Sequence, residues 1–265
     1  MKIISLASGS KGNAYCVCSE SSVLLVDCGL CLKSLRQRLA EAGLSPDRIC
    51  AVVITHSHDD HVKGLPLFHK NYPSIPLFAN LMTAETIAWK YKMDEFAFTP
   101  FEDGQAFGIG PFEVEPFSIP HDTSDPVGYL VQADGKTYFH GTDIGTPLDS
   151  IGRHFAKADV ATLESNHDAV MLRTSSRPEE LKKRIWGPRG HLSNDQACEL
   201  VRKFASPRLK KLSLAHLSEE CNVPHLAECA MRETLVALHR QDVELEILPQ
   251  NAIGCPWECE RRGRF

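Results

Sequence analysis

The heptapeptide THSHDDH, Thr55 to His61, packs three of the chain's twelve histidines and two carboxylates into seven positions. A short apolar run, AVVI at residues 51–54, leads straight into it and reads as a buried strand. The plain alternative is a polar loop that happens to be rich in histidine. Neutral imidazole and ionised carboxylate, however, are the ligands that borderline divalent metals prefer. Crowded on one loop, these groups call for a cation between them. The spacing H-x-H-x-D-H therefore reads as a metal site at the end of a strand.

One loop cannot close such a site. Outward from it, other apolar runs end in ligand-type residues: FEVEPFSIP in His121, TYFHGT in Asp143 and KKLSLA in His216. Each alone is as readily a surface group or a satisfied core residue. Together they form a pattern, because strand ends converge on the rims of packed sheets, where sites are built.

The remaining elements fit that picture. IISLA, AYCVC and VLLVDCG read as strands between Gly- and Ser-rich turns, and CLKSLRQRLAEAGL reads as a helix stopped at Gly43. LMTAETIAWKYKM is a second helix, and VGYLVQADGKTYFHGTD a hairpin turning at Ala133, Asp134 and Gly135. ADVATLE, KKLSLAHLS and DVELEIL are strands. PEELKKRIW, NDQACELVRKFA and PHLAECAMRETLVALHR are helices, the second capped by Ser193 or Asn194. Strands bunch at both ends with helices interspersed. The expected fold is α/β, a four-layer αββα sandwich in a single domain over residues 1–265.

Composition bounds the function. The chain is 43% hydrophobic, ample for a core, and no window approaches the roughly 18–20 apolar residues of a membrane span. The start, MKIISLASGSKGN, reaches Gly and Lys before a secretory apolar region could form. Ten cysteines without such a region predict reduced thiols and a cytoplasmic location. Cys16/Cys18, Cys28/Cys31 and Cys255/Cys259 make no repeated CxxC set of the kind structural zinc uses. The net charge is −5, but residues 1–150 carry 11 Lys+Arg against 18 Asp+Glu and residues 151–265 carry 18 against 16. A basic run gathers Arg173, Arg177, Lys182, Lys183, Arg184 and Arg189, as a solvated helix face or as a nucleic-acid contact.

With Asp27 at a strand end, HSHDDH, His121, Asp143 and His216 resemble the five ordered motifs of the metallo-β-lactamase superfamily. SGSKGN (Ser8–Asn13), the ESNxD pattern from Glu164 and GHLSN (Gly190–Asn194) bring the resemblance closest to its YycJ/WalJ-like branch. The resemblance implies that His56, His58 and His121 hold one metal, that Asp60, His61 and His216 hold a second, and that Asp143 bridges them. It places Asp27 behind the histidine loop as the group that orients an imidazole. Asp59 falls in a variable slot and is expected in an exposed loop. The true β-lactamases use a cysteine ligand, which this chain lacks, so antibiotic hydrolysis is not expected. The related tRNA 3′-processing endonucleases pair a histidine before a helix with an upstream glutamate. Here that is His191 with Glu164, a general acid and its orienting partner, and with Asp60 they form the expected catalytic group.

Two divalent ions, Zn, Mn or Fe, are the implied cofactors, and the implied activity is that of a phosphodiesterase or exonuclease on DNA in preference to RNA. A small-molecule hydrolase of a cyclic phosphodiester or lactone shares the same core, and a non-catalytic metalloprotein is the third class. Ser10, Asn13, Asn166, Ser193 and Asn194 lie near the expected site. They either hydrogen-bond phosphate oxygens or serve as turn and cap residues.

Overall fold

A computed structural model describes residues 1–258, so Cys259 lies outside the described residues. The chain first lays down β1 (Lys2–Ala7), β2 (Ala14–Ser19), β3 (Ser22–Val26), β4 (Ile49–Val53), β5 (Leu77–Asn80) and β6 (Phe98–Phe101). It then builds β7 (Phe107–Ile109), β8 (Phe112–Ser118), β9 (Val127–Ala133), β10 (Lys136–Gly141), β11 (Val160–Glu164), β12 (Lys211–Ala215) and β13 (Glu244–Ile247). The first six lie side by side in chain order, with β14 (Trp257–Glu258) returning to pair with β1. The other seven form the second sheet, also in chain order.

The helices are α1 (Leu32–Glu41), α2 (Asp59–Val62), α3 (Leu65–Asn71), α4 (Leu81–Tyr91), α5 (Asp149–Phe155), α6 (Ala169–Thr174), α7 (Glu179–Trp186), α8 (Asn194–Phe204) and α9 (Pro224–Ala237). One core cluster joins the inner faces of both sheets, including Tyr15, Val26 and Val53 from the first and Val114, Tyr129 and Val160 from the second. A second cluster packs α1, α3 and α4 on the first sheet, and a third packs α5, α8 and α9 on the second. These are the four layers of an αββα sandwich. Both faces of the central strands are covered, which is why AYCVCS is buried throughout and does not alternate.

Local chemistry explains the punctuation. In the β9–β10 hairpin, Asp134 and Gly135 both take left-handed φ, 52° and 68°, as a two-residue type I′ turn requires. At the end of α1, Gly43 takes φ 71°, and Leu44 N–H reaches back to the Leu39 carbonyl. Of the two candidate caps of α8, Ser193 is the one used: its hydroxyl accepts the Gln196 N–H while the Gln196 side chain accepts the Ser193 N–H.

Short elements escaped the sequence reading, because α2 has four residues and β7 three, too few to display a period. Thus Asp59 is not in a loop. It opens α2, exposed and paired with Lys90 and Tyr91.

Candidate metal centre

The strands β3, β4, β10, β11 and β12 run parallel within their sheets, so their C-terminal ends share one rim. Asp27 follows β3, the histidine loop follows β4, Asp143 follows β10, Glu164 ends β11 and His216 follows β12. Two inter-sheet hydrogen bonds pin the base of the histidine loop: Tyr129 Oη donates to the Ile54 carbonyl at 2.5 Å, and Val127 N–H to the Thr55 carbonyl at 3.0 Å.

The backbone around the loop is drawn in tightly. Asn13 N–H donates to the Asp60 carbonyl at 2.7 Å and Cys28 N–H to the His61 carbonyl at 2.8 Å. A Cβ on Gly29 would lie 1.7 Å from the Asp60 carbonyl oxygen, so only glycine allows this approach. Asp27, Asp143 and His216 all hold left-handed φ, 62°, 59° and 56°, a conformation unfavourable for residues with a Cβ. Three such residues meet at this rim: Asp143 and His216 turn into the ligand-type groups, and Asp27 braces His61 from behind.

His61, His56 and His121 are each oriented from behind. His61 Nδ1–H donates to Asp27 Oδ2 at 2.7 Å, which leaves Nε2 facing Asp143 Oδ2 at 3.2 Å. Thr55 Oγ1 donates to the same Asp27 carboxylate at 2.9 Å and lies 3.0 Å from His56 Nδ1. His121 Nδ1–H donates to the Gly190 carbonyl at 3.0 Å, and its Nε2 stands 3.2 Å from His58 Nδ1. His216 Nε2 lies 3.3 Å from Asp60 Oδ2 and 3.5 Å from Asp143 Oδ1.

Ligand-type atoms therefore fall into overlapping groups: His56, His58 and His121; His56, His61 and Asp143; Asp60, His61 and His216; and Asp143, Glu164, His191 and His216. The seven residues carried over by resemblance are all among them. The buried His56 Nε2, aimed inward, has no hydrogen-bond partner, and the buried Asp143 Oδ2 has only the His61 Nε2 contact at 3.2 Å. Unpartnered buried lone pairs are costly in a protein interior, and a cation satisfies them directly. The donor set fits divalent metal.

The two sides of the nest differ electrostatically. Burial drives His56 well below the usual imidazole range, with the neighbouring His61 adding to it; burial also lowers His58 and His121. Burial opposes the charged forms of His61 and His216 too, yet both are held well above that range. For His61 the charges responsible are Asp143, Asp27 and Asp60, and for His216 Asp143 leads. A cation bound by these two rings would have to displace their protons.

Beside the nest, His191 Nδ1–H donates to Glu164 Oε1 at 2.7 Å. Glu164 is fully buried and also accepts the Ile144 and Leu192 N–H groups at 2.8 and 3.0 Å, so it cannot swing away. Burial opposes a charged His191, but Glu164 and then Asp143 raise it above its ordinary value. His191 and His216 line a cavity of about 160 Å³ with Ser10, Asn166, Arg177 and Arg184.

Of the other candidate residues, Asn13 sits behind the nest, its amide 3.2 Å from Asp60 Oδ2 and 3.0 Å from His61 Nε2. Asn166 donates to the His216 carbonyl at 2.8 Å. Ser193 caps α8, and Asn194 is buried among Ser165 and Asn222, so neither lines the cavity. The basic run borders the site but is partly neutralised: Arg177 pairs with Glu220, Lys182 with Glu179 and Arg184 with Asp122.

Three residues at the site were given no role by the sequence reading. Ser8 Oγ accepts the His216 N–H at 2.8 Å, Thr55 links Asp27 to His56, and Asp122 stands against His58 and His121. Ser8 and Thr55 were within reach, each being the first polar residue after an apolar run.

A family profile described as "Beta-lactamase superfamily domain" matches residues 23–213. The chain belongs to the beta-lactamase superfamily. Within it, the chain is 35% identical over 229 residues to the exodeoxyribonuclease WalJ of Streptococcus pneumoniae, covering 85% of each chain. It is 32% identical over 233 residues to the exodeoxyribonuclease YycJ of Bacillus anthracis, covering 87% of each. Among solved structures, the metallo-beta-lactamase fold protein YhfI of Bacillus subtilis matches with a TM-score of 0.72 at 18% identity, over 97% of this chain and 99% of that one. This last likeness shows the shared fold.

Proposed function

We propose that this superfamily member is a dinuclear metal-dependent phosphodiesterase that acts as an exonuclease on DNA. The observation that carries the reading is the convergence of seven ligand-type His and Asp side chains around the unpartnered His56 Nε2. The relatives' names support DNA as substrate. In this reading His56, His58 and His121 hold one ion, Asp60, His61 and His216 the other, and Asp143 serves both. Zn, Mn or Fe suits such a set. Two bound cations supply Lewis acidity and lower the pKa of water toward neutrality.

The chain's own groups do the rest. Glu164 fixes the Nδ1–H tautomer of His191 and favours its protonated form, so Nε2 is the atom that hands a proton to a leaving alkoxide. Asp60, whose carboxylate accepts a hydrogen bond from the Asn13 amide, completes the catalytic group. Ser10 and Asn166 line the cavity within reach of phosphate oxygens, and Arg177 and Arg184 flank it as anion contacts. Asn13, Ser193 and Asn194 support the loops behind.

Residues 1–265 act as one metallo-hydrolase domain, a reading supported by the core shared between the sheets. No helix among the described residues is long and apolar enough to cross a membrane. The described cysteines are unpaired, which supports a cytoplasmic location.

The test is to load the protein with Zn, Mn or Fe and offer end-labelled single-stranded DNA, end-labelled RNA and a lactone. Stepwise release of nucleotides from DNA is the expected result. Turnover of the lactone alone would return the site to small-molecule hydrolysis.

A further inference from the structure

The scheme above gives no role to Asp122, yet this carboxylate stands against the metal centre. Its Oδ1 is buried without a hydrogen-bond partner, 3.5 Å from His121 Nε2 and 3.7 Å from His58 Nε2. Its Oδ2 accepts a hydrogen bond from Arg184 Nε on α7. Both side chains line the cavity beside His191 and His216. One anionic oxygen faces the first ligand group while the other rests on a guanidinium. Two non-bridging oxygens of a bound phosphodiester would divide themselves in the same way.

We propose that Asp122 is an internal stand-in for the substrate phosphate, which an anionic substrate must displace from Arg184 to reach the metal centre. The exchange rests on the phosphodiesterase reading only for the identity of the natural substrate; the displacement itself requires only an anion. A phosphodiester replaces one anion on Arg184 with another, so the guanidinium keeps a partner. A neutral lactone brings no charge and leaves the Asp122–Arg184 pair across the first ligand group. Asp122 thereby selects for anions at a metal core that many hydrolases share. Its backbone is held in place: Arg189 donates to the His121 and Thr123 carbonyls at 2.8 and 3.1 Å, and the Ser57 and Thr123 hydroxyls lie 3.0 Å apart. The part free to move is the carboxylate side chain.

Inorganic phosphate, titrated calorimetrically into the metal-loaded protein, tests this without relying on turnover. Asp122→Asn should bind phosphate roughly three- to fivefold more tightly, the upper end for a partly exposed ion pair. Its metal content should be unchanged. In an Arg184→Met background the gain should vanish, because no guanidinium remains to be released. A full gain persisting in that background would reduce Asp122 to general repulsion and overturn the proposal. Weaker phosphate binding by Asp122→Asn would overturn it by making Asp122 a support for Arg184, and loss of metal would make it a ligand. The nuclease reading fails separately, through inactivity on end-labelled DNA while the phosphate titrations behave as described.

Discussion

The His61 side chain is wholly buried and both ring nitrogens face acids, Asp27 on one side and Asp60 and Asp143 on the other; the Arg184 side chain, across the cavity, is 61% exposed and holds a single carboxylate. The first belongs to a rim where backbone, orienting acid and ligand are fixed together. The second belongs to a helix flank whose charges are paired loosely with neighbours. Preorganisation at the rim suits a cation, because ligands already in place lose little freedom when it binds. Exchangeable pairing on the flank suits a polyanion, which can take over each partner in turn. Changes at the rim should therefore be read in metal content, and changes on the flank in substrate affinity and its salt dependence.

The severest break in that contrast is Asp143→Ala. Asp143 approaches His61, His121 and His216 at once, so its loss should remove metal and activity together. Elemental analysis of protein purified without chelator checks this, and full metal content in the variant would displace Asp143 from its bridging role.

His191 stands on the border between the two regions. His191→Ala should keep its metal, because the proposed ligand set does not include His191. On a substrate with an alkoxide leaving group it should lose about 10²–10⁴-fold in rate, the usual worth of a general acid. With a p-nitrophenolate leaving group, which departs readily as an anion, the loss should be far smaller. Equal losses on both substrates would leave His191 a binding group only.

A smaller effect at the rim is expected from Asp27→Asn. This residue touches no cation in the proposed scheme, yet it orients His61 directly and His56 through Thr55. Metal affinity should fall about 10–100-fold, the usual range for a group that orients a ligand. A chelator competition titration measures it, and unchanged affinity would show that the left-handed backbone alone suffices to aim the rings.

The two regions also differed in how far the sequence revealed them. At the rim, the candidate ligands lie within a few residues of the end of an apolar strand, and alternation, turn residues and ligand chemistry are local facts. The αββα layering could be read from them, whereas the assignment of ligands to ions came only from the family resemblance. What sequence left out was set by the meeting of distant segments. Ser8 reaches His216 across 208 positions, and Thr55 joins two loops only because Asp27 folds beneath it. The cavity wall from Arg177 and Arg184 depends on where α7 docks, which no local period encodes. Asp122 was hidden for another reason: a lone acid beside a histidine looks ordinary until its unpartnered oxygen is seen.

The smallest expected effect belongs to the flank itself. Lys182 is paired with Glu179 at 2.9 Å and donates to the Arg173 carbonyl at 3.1 Å, while Lys183 next to it is exposed. If DNA passes along α7, these two lysines neutralise phosphates and release counterions on binding. Reversing both to Glu should weaken binding of single-stranded DNA and flatten the dependence of log K on log salt by about 0.7 for each phosphate no longer neutralised. Metal content should not change, because neither lysine touches the rim. Turnover of a small phosphodiester should hardly change either, because the cavity lining it meets on α7 includes Arg184 but neither lysine. The measurement is a set of DNA-binding isotherms at several salt concentrations for the wild type and the double variant. An unchanged slope would make this part of α7 an ordinary solvated face, and the anion-binding groups of the flank would then reduce to Arg177 and Arg184 at the cavity.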